Sequence, residues 1–291
     1  SLSNNILLDV ASSHVILVSG KRGSGKSNSL GVIAEEMISL PEEISKNLSI
    51  IMLDTMGIFW TMKYPNTRDE KLLETWNLKP RGFDVDIFIP LGHFDEYKSK
   101  GLPVDHKFSI KTSELAPDDW CTVFNIKITD PIGVLIESSL RKLDQDYGII
   151  DIINIIKKDK QFDETLRSSA INRFLNAEAW GIFFQEGTKI NELINRGRVS
   201  IIDISAYTQT SGSWDIKNLV VGLIAKQLLR ERIGSRKYEE LENIESQSTL
   251  FLDTERELEK PLVWILIDEA HAFIPRVGKT AATDPLVQLL R

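Results

Sequence analysis

The chain has only one cysteine, Cys121, among its 291 residues. A single thiol can form neither an intramolecular disulfide nor a cysteine-rich metal site, so the sequence excludes a disulfide-stapled scaffold and a zinc-ribbon type of centre. This cysteine usage is typical of a reducing compartment and predicts a cytoplasmic protein.

Long apolar runs and an excess of basic residues are also missing. No stretch approaches the roughly 20 apolar residues of a membrane-spanning helix, and residues 1–5 lack the basic start of a signal peptide. We therefore expect no membrane partner. The net charge of −7 argues against a uniformly basic nucleic-acid surface but allows a locally basic loop. With 42% hydrophobic residues, the chain can bury a sizeable core.

A complete phosphate-binding motif lies near the start of the chain. It reads Gly20, Lys21, Arg22, Gly23, Ser24, Gly25, Lys26, Ser27. These residues match G-x-x-x-x-G-K-[ST] without a gap. The sequence predicts a buried strand before the motif, over 14–19, and a helix after it, over 27–37. A strand, a glycine-rich loop and a helix in this order form the setting in which the motif binds a nucleotide.

Each residue type in the motif has a chemical role. The glycines let the backbone approach the phosphates closely. Lys26 would place its ammonium on the β- and γ-phosphates, and Ser27 would offer its hydroxyl oxygen to Mg²⁺. The predicted nucleotide-binding set runs from Gly20 to Asn28, with ATP and Mg²⁺ as cofactors.

An acidic pair follows an apolar run near the other end of the chain. Residues 261–267 predict a buried strand that leads into Asp268 and Glu269. Asp268 would hold Mg²⁺, and Glu269 would polarise the attacking water. Lys26 and Glu269 are the predicted catalytic residues. Because 241 residues separate Ser27 from Asp268, a domain-sized insertion is expected between them.

Three further apolar runs predict strands, over 48–54, 86–90 and 198–203. Asp54 closes the first of them. Because ligands collect outside the carboxyl ends of parallel strands, Asp54 should lie at the same edge as the phosphate-binding motif. It would there either position water or Mg²⁺, or cap the next turn, and the sequence leaves both roles open.

The remaining pattern predicts an α/β fold with a helical insertion. We divide the chain into a P-loop half over 1–110, a mainly helical insertion over 111–197 and a second half over 198–291 that carries the acidic pair. Residues 216–232 have the apolar periodicity of a strong helix. The acidic segment 235–260 is expected to be an exposed loop or a frayed helix.

Four blocks occur in a recognisable order, at Gly20–Ser27, Leu53–Trp60, Val199–Ser205 and Ile265–Phe273. In this order they resemble the ATPase core of the archaeal HerA helicases, of the HerA–FtsK superfamily. The resemblance covers most of the chain. It implies a RecA-like core with a helical insertion, a homo-hexameric ring around double-stranded DNA, and a NurA-like nuclease as partner in DNA end processing.

The resemblance also implies residue roles and shows where this chain departs from the family. Lys26 and Ser27 match the Walker A pair, and Asp268 and Glu269 match the Walker B pair. Members of the family also carry an N-terminal β-barrel, a later sensor strand with a glutamine, and an arginine finger that acts on the neighbouring subunit. We therefore expect the sequence to be a fragment, in which Arg276 and Arg291 are weak candidates for the finger.

Two other functions fit the same motifs. One is a related motor of conjugation or DNA packaging. The other is a nucleotide-dependent switch or scaffold without translocation, which the acidic net charge favours. Glu269 favours the motor, because a switch needs no acid to polarise water.

For some residues the sequence allows either a functional role or an ordinary structural role. Three tryptophans could stack on adenine or on bases, although such residues more often anchor a core or an interface. They are Trp60, Trp76 and Trp214. His271 could sense the γ-phosphate, and the polar segment 208–214 could reach the pore of a ring.

Overall fold

A five-stranded sheet forms the centre of the computed structural model, which describes residues 7–144, 146–209, 213–248 and 260–290. The described residues form seven strands, five of which make up this sheet. The seven are β1 (Leu48–Asp54), β2 (Val85–Pro90), β3 (His106–Phe108), β4 (Ile110–Lys111), β5 (Phe183–Phe184), β6 (Val199–Asp203) and β7 (Leu262–Ile267). The sheet has the order β3-β2-β6-β1-β7, and every neighbouring pair is parallel. The short strands β4 and β5 pair separately. The strands predicted over 48–54, 86–90, 198–203 and 261–267 are thus confirmed to within a residue.

Eleven helices connect and cover the described strands. They are α1 (Lys26–Ile38), α2 (Glu42–Ser45), α3 (Glu70–Glu74), α4 (Leu91–Ser99), α5 (Pro117–Val123), α6 (Pro131–Leu140), α7 (Ile149–Lys158), α8 (Glu164–Ala179), α9 (Ile190–Leu193), α10 (Ser213–Ser248) and α11 (Thr283–Leu289). Among the described residues, none of these helices has the length and apolarity that a membrane crossing requires.

The sheet separates two apolar cores, because successive side chains of a strand point to opposite faces. In β1, Ile51 and Leu53 face the larger core, together with Trp120 of α5 and Phe174 of α8. Met52 belongs to the smaller core, which α1 covers. The helices between β4 and β6 therefore pack directly on the sheet. The α/β class with a helical insertion is confirmed, whereas the exact division at residues 110 and 197 stays a prediction.

The segment before the phosphate-binding loop differs from the prediction. Residues 14–19 were expected to form a buried strand, but they have no strand pairing. Val15 and Leu17 are 68% and 83% exposed. An apolar run becomes a strand only where a neighbouring strand offers free hydrogen-bonding groups, and no described strand pairs with this one. The indole N–H of Trp264 in β7 donates to the carbonyl of Val10. This bond holds the residues just before the segment 14–19 against the sheet.

Helix α10 includes the helix predicted over 216–232 and continues to Ser248, through most of the acidic segment. Of the loop and the frayed helix expected over 235–260, the structure has a helical backbone over 235–248. Residues 249–259 lie outside the described part of the chain. The acids of this segment up to residue 248 are glutamates, which have a high helix propensity, and the helix already formed over 216–232 supplies the nucleus from which it extends.

An ion cluster ties Arg198, the residue directly before β6, to β2 at the end of the sheet opposite the carboxyl edge. The guanidinium of Arg198 donates to both oxygens of Asp86 at 2.8 Å, and to both oxygens of Asp84 at 2.6 and 3.0 Å. The His106 imidazole stacks on Phe88 and lies 3.5 Å from Asp86. Arg198 lowers the pKa of Asp86 against the effect of burial. The planar guanidinium of Arg198 donates to two carboxylates at once, and this geometry, which lysine cannot provide, fixes the register of β6 against β2.

We expect the substitution Arg198→Met to lower the free energy of unfolding by about 1–3 kcal/mol, because Asp86 would stay largely buried without its cation. Urea unfolding followed by circular dichroism measures the change. Arg141→Met is the matched control, since Arg141 pairs with Glu137 on an exposed helix surface and should change the stability by less than about 0.5 kcal/mol. Equal effects of the two substitutions would contradict a structural role for the cluster.

Candidate nucleotide site

The phosphate-binding loop is an exposed turn that ends in the first residue of α1. Gly23 and Gly25 have φ values of 76° and 88°, which are strained for residues with a Cβ. At Gly20 a Cβ would lie 2.4 Å from the Ser24 hydroxyl. The Lys26 ammonium donates to the carbonyl of Lys21 at 3.2 Å, so the lysine is folded back over its own loop. These three glycines allow the curl that the motif predicted.

The two halves of the predicted site meet through one hydrogen bond. The hydroxyl of Ser27 donates to Oδ1 of Asp268 at 3.2 Å, although the two residues are 241 positions apart. Asp268 follows β7, and its N–H donates to the carbonyl of Leu53 in β1. The sheet therefore brings the start of α1 and the end of β7 to the same place. The sequence predicted both residues, and the structure shows that they are neighbours.

The residues present fit a bound magnesium ion. Asp268 is 4% exposed, and its second oxygen, Oδ2, is buried without a hydrogen-bond partner. Such an orphaned carboxylate oxygen is costly unless a ligand satisfies it. Burial raises the pKa of Asp268, and the Ser27 hydroxyl opposes that rise. A hydroxyl and a carboxylate are the hard oxygen donors that Mg²⁺ takes when phosphates and waters supply its other ligands.

Glu269 has a left-handed backbone, with φ 54° and ψ 39°. This conformation is uncommon for a residue with a side chain, and it is frequent where a functional group must be aimed. A carboxylate oxygen of Glu269 lies 3.2 Å from Nδ1 of His271. His271 is itself 80% exposed. The imidazole thus contacts the predicted water-polarising acid, and its expected role as a sensor of the γ-phosphate stays a prediction.

Asp54 acts as a cap rather than as a ligand. Its two oxygens accept hydrogen bonds from four consecutive backbone N–H groups at 2.7–3.0 Å, those of Met56, Gly57, Ile58 and Phe59. The residue is fully buried, so it cannot reach water or metal in the exposed loop. Of the two roles that the sequence left open, the structure supports capping. Burial and the neighbouring Asp203 raise the pKa of Asp54 to about 6, against the effect of the N–H donors.

A buried lysine at this edge has no signal in the sequence. Lys217 lies within α10 and is 2% exposed. Its ammonium donates to the carbonyl of Thr55 at 2.9 Å and to the hydroxyl of Thr208 at 3.0 Å, and it lies over the ring of Trp214. Helical periodicity places residue 217 near an apolar face, but only the fold brings that face to the end of β1.

The remaining candidates fall in different places. Trp76 is 53% exposed, whereas the indole of Trp60 donates to the Gly57 carbonyl and Trp214 contacts Phe273. Arg276 lies exposed in the turn after β7, and Arg291 and residues 210–212 lie outside the described part of the chain. The described residues contain no group of three or more histidine, cysteine, aspartate or glutamate side chains placed to hold a metal ion.

Comparison with known families identifies the core. Residues 3–231 match the family described as the central domain of the helicase HerA. A comparison with curated proteins finds no match. The family match covers well over half of the chain, so the chain belongs to this family of RecA-like P-loop ATPase cores. Asp268 and Glu269 lie outside the matched residues, and the contact with Ser27 is what connects them to the site.

The pair Asp54 and Asp203 makes stability depend on pH. In the unfolded chain an aspartate loses its proton near pH 4, whereas Asp54 keeps it to about pH 6 in the folded state. The folded state binds more protons in this window. The free energy of unfolding should therefore fall by about 2–3 kcal/mol as the pH rises from about 4 to about 6, and this contribution should then stay constant.

Denaturant unfolding at pH 4, 5, 6 and 7 measures this fall. Asp203→Asn should make it smaller, because the substitution removes both the repulsion on Asp54 and a second aspartate whose pKa burial raises. Asp95→Asn, at an exposed position of α4, should leave the wild-type profile unchanged. A fall of the same size in Asp203→Asn and the wild type would show that the pair is not its source.

Proposed function

We propose that this chain is the core of an ATP-driven motor that moves on double-stranded DNA as a homo-hexameric ring. The observation that carries the proposal is the 3.2 Å contact between Ser27 and Asp268, made within a core of the HerA type. It joins a nucleotide-binding loop to an acid at the end of a strand, which is the arrangement of a hydrolysing P-loop enzyme.

The residues divide the work of hydrolysis. The N–H groups of the loop and the ammonium of Lys26 would bind the β- and γ-phosphates. Ser27 and Asp268 would hold Mg²⁺, which when bound supplies positive charge to the phosphates. Glu269 would accept a hydrogen bond from the attacking water and orient it. Lys26 would exchange its present contact with the Lys21 carbonyl for a phosphate oxygen, which a flexible side chain does at little cost.

Glu269 favours a motor over a nucleotide-binding switch or scaffold. It directly follows Asp268 and has a strained left-handed backbone, as residues at functional sites often do. A protein that only binds ATP needs no acid to polarise water. A related motor of conjugation or DNA packaging shares every residue of this site, and it would differ in its substrate and partners. Our proposal includes DNA end processing together with a NurA-like nuclease, which the family likeness suggests.

Glu269→Gln should abolish ATP turnover while ATP binding is retained, because the amide keeps the shape of the side chain and loses the ability to polarise water. Turnover is measured by phosphate release with Mg²⁺, and binding by the fluorescence of a labelled ATP. Glu178→Gln, at an exposed position on α8, is the matched control and should turn over normally. Undiminished turnover in Glu269→Gln would remove this residue from the mechanism.

Addition of duplex DNA to the full-length protein tests the motor itself. We expect a several-fold higher rate of ATP hydrolysis with duplex DNA and a mass of six copies when ATP and Mg²⁺ are present. Light scattering after size exclusion gives the mass. If duplex DNA leaves the rate of ATP hydrolysis unchanged and a monomer hydrolyses ATP normally, the result would favour the switch or scaffold over the motor.

A further inference from the structure

A cavity opens at the carboxyl edge of the sheet, away from the phosphate-binding loop. It has a volume of about 170 Å³ and lies beside the end of β6, two strands from β7. None of residues 20–28 lines it, and neither does Asp268 or Glu269. The proposed hydrolysis therefore leaves this cavity without a role.

Three oxygen-bearing side chains form its polar wall. Asp203 is 4% exposed and accepts a hydrogen bond from the Ser205 N–H at 2.8 Å. The hydroxyl of Tyr97 lies 3.3 Å from the hydroxyl of Ser205. The wall depends on Gly57, where a Cβ would lie 2.4 Å from the Ser205 oxygen and where φ is 69°. A side chain at position 57 would displace the serine.

The cavity is also lined by aromatic rings and aliphatic groups. The aromatic rings come from Trp60 and Tyr97, and the aliphatic surface comes from Leu102 and Pro103. The indole N–H of Trp60 is already used by the Gly57 carbonyl, so the tryptophan offers the cavity only its ring system. A buried carboxylate and aromatic rings in one cavity are a combination that attracts organic cations.

The local charge is unbalanced. Asp54 and Asp203 end neighbouring strands and stand opposite each other in the register of β1 and β6. Among the described residues, the cation that acts on both is Lys217. Its ammonium donates to the Thr55 carbonyl and the Thr208 hydroxyl rather than to a carboxylate. With both acids ionised, two negative charges share one positive charge in a largely buried place, so a further cation is favoured.

The chemistry of the wall selects the class of ligand. The carboxylate of Asp203 repels phosphate and other anions. A metal ion would need ligands beyond one carboxylate and two hydroxyls, and the phosphate oxygens that would complete a Mg²⁺ shell beside the loop are repelled here. We propose that this cavity binds the guanidinium or ammonium head of an organic cation, held by Asp203 and covered by the rings of Trp60 and Tyr97.

This chemistry can come from two sources. One is a small organic cation in solution, and the other is an arginine or lysine side chain of a second copy of the chain. Both would place the same charged group on Asp203. The cavity residues are distinct from the proposed hydrolysis site, so the inference does not depend on the motor function.

Titration calorimetry with methylguanidinium tests the proposal, with N-methylurea as a neutral probe of similar shape. We expect saturable binding of methylguanidinium with a dissociation constant on the order of 1–10 mM, as suits so small a ligand. N-methylurea should bind at least about ten-fold more weakly, because it lacks the charge that Asp203 recognises. The ionic strength is matched with sodium chloride, so that screening is the same in both titrations.

Two variants locate the binding. Asp203→Asn should weaken methylguanidinium at least about ten-fold, whereas Asp95→Asn, an exposed carboxylate on α4, should bind like the wild type. If Asp203→Asn fails to fold, Trp60→Leu keeps the carboxylate and removes the larger ring, and it should weaken binding about three-fold or more. Equal binding of N-methylurea, or unchanged affinity in either cavity variant, would overturn the proposal.

The mass of the protein in solution distinguishes the two sources of the cation, a small molecule and a side chain of a second copy. If the side chain of a second copy fills the cavity, methylguanidinium should dissociate the oligomer and Asp203→Asn should self-associate more weakly than Asp95→Asn. If a free cation fills it, methylguanidinium should bind without a change in mass. A titration without saturable heat, together with a mass that responds neither to the probe nor to Asp203→Asn, would show that the cavity takes no cation.

Discussion

The parallel register of β6, β1 and β7 is the constraint on which the rest of the structure depends. Because these strands run side by side in one direction, the acids that close them come out at one edge. They are Asp203, Asp54 and Asp268 in the order of the strands. A shift of one strand by a single residue would turn the acid of that strand to the other face of the sheet. At the opposite end of the sheet, the ion cluster of Arg198 ties β6 to β2.

The free-energy cost of burying a carboxylate is offset differently for each of the three acids. Asp54 is satisfied by four backbone N–H groups and supports the turn that follows β1. Asp268 has the Ser27 hydroxyl on one oxygen and nothing on the other, as suits a site that is completed by a cation. Asp203 shares the charge of Lys217 and borders a cavity. Identical side chains at equivalent strand ends thus support a turn, the candidate nucleotide site and the proposed cation site, since their neighbours differ.

The sequence predicted elements where one local signal was sufficient. The loop over 20–27, the strands that end in acids and the helix after the loop followed from glycine spacing and apolar runs. Prediction from the sequence failed where the secondary structure of a segment depended on a partner far away in the chain. Residues 14–19 are as apolar as β1, yet they have no strand pairing, because a strand is made by its neighbours as much as by its own residues. Strand β3 escaped prediction for the opposite reason, since His106 and Lys107 are polar and only the free edge of β2 makes them a strand.

The sequence by itself determined the chemistry that is available: a glycine loop for phosphates, a lysine and a serine beside it, and an acidic pair after an apolar run. Those features depend on residue type and short spacing, which no fold can change. Only the tertiary structure decided which groups meet. It placed Ser27 against Asp268 across 241 residues, assigned Asp54 to its own turn, and brought Lys217, near the start of α10, to the edge of the sheet. Contacts of this kind arise from the order of strands in the sheet, and that order is set by the packing of the whole core.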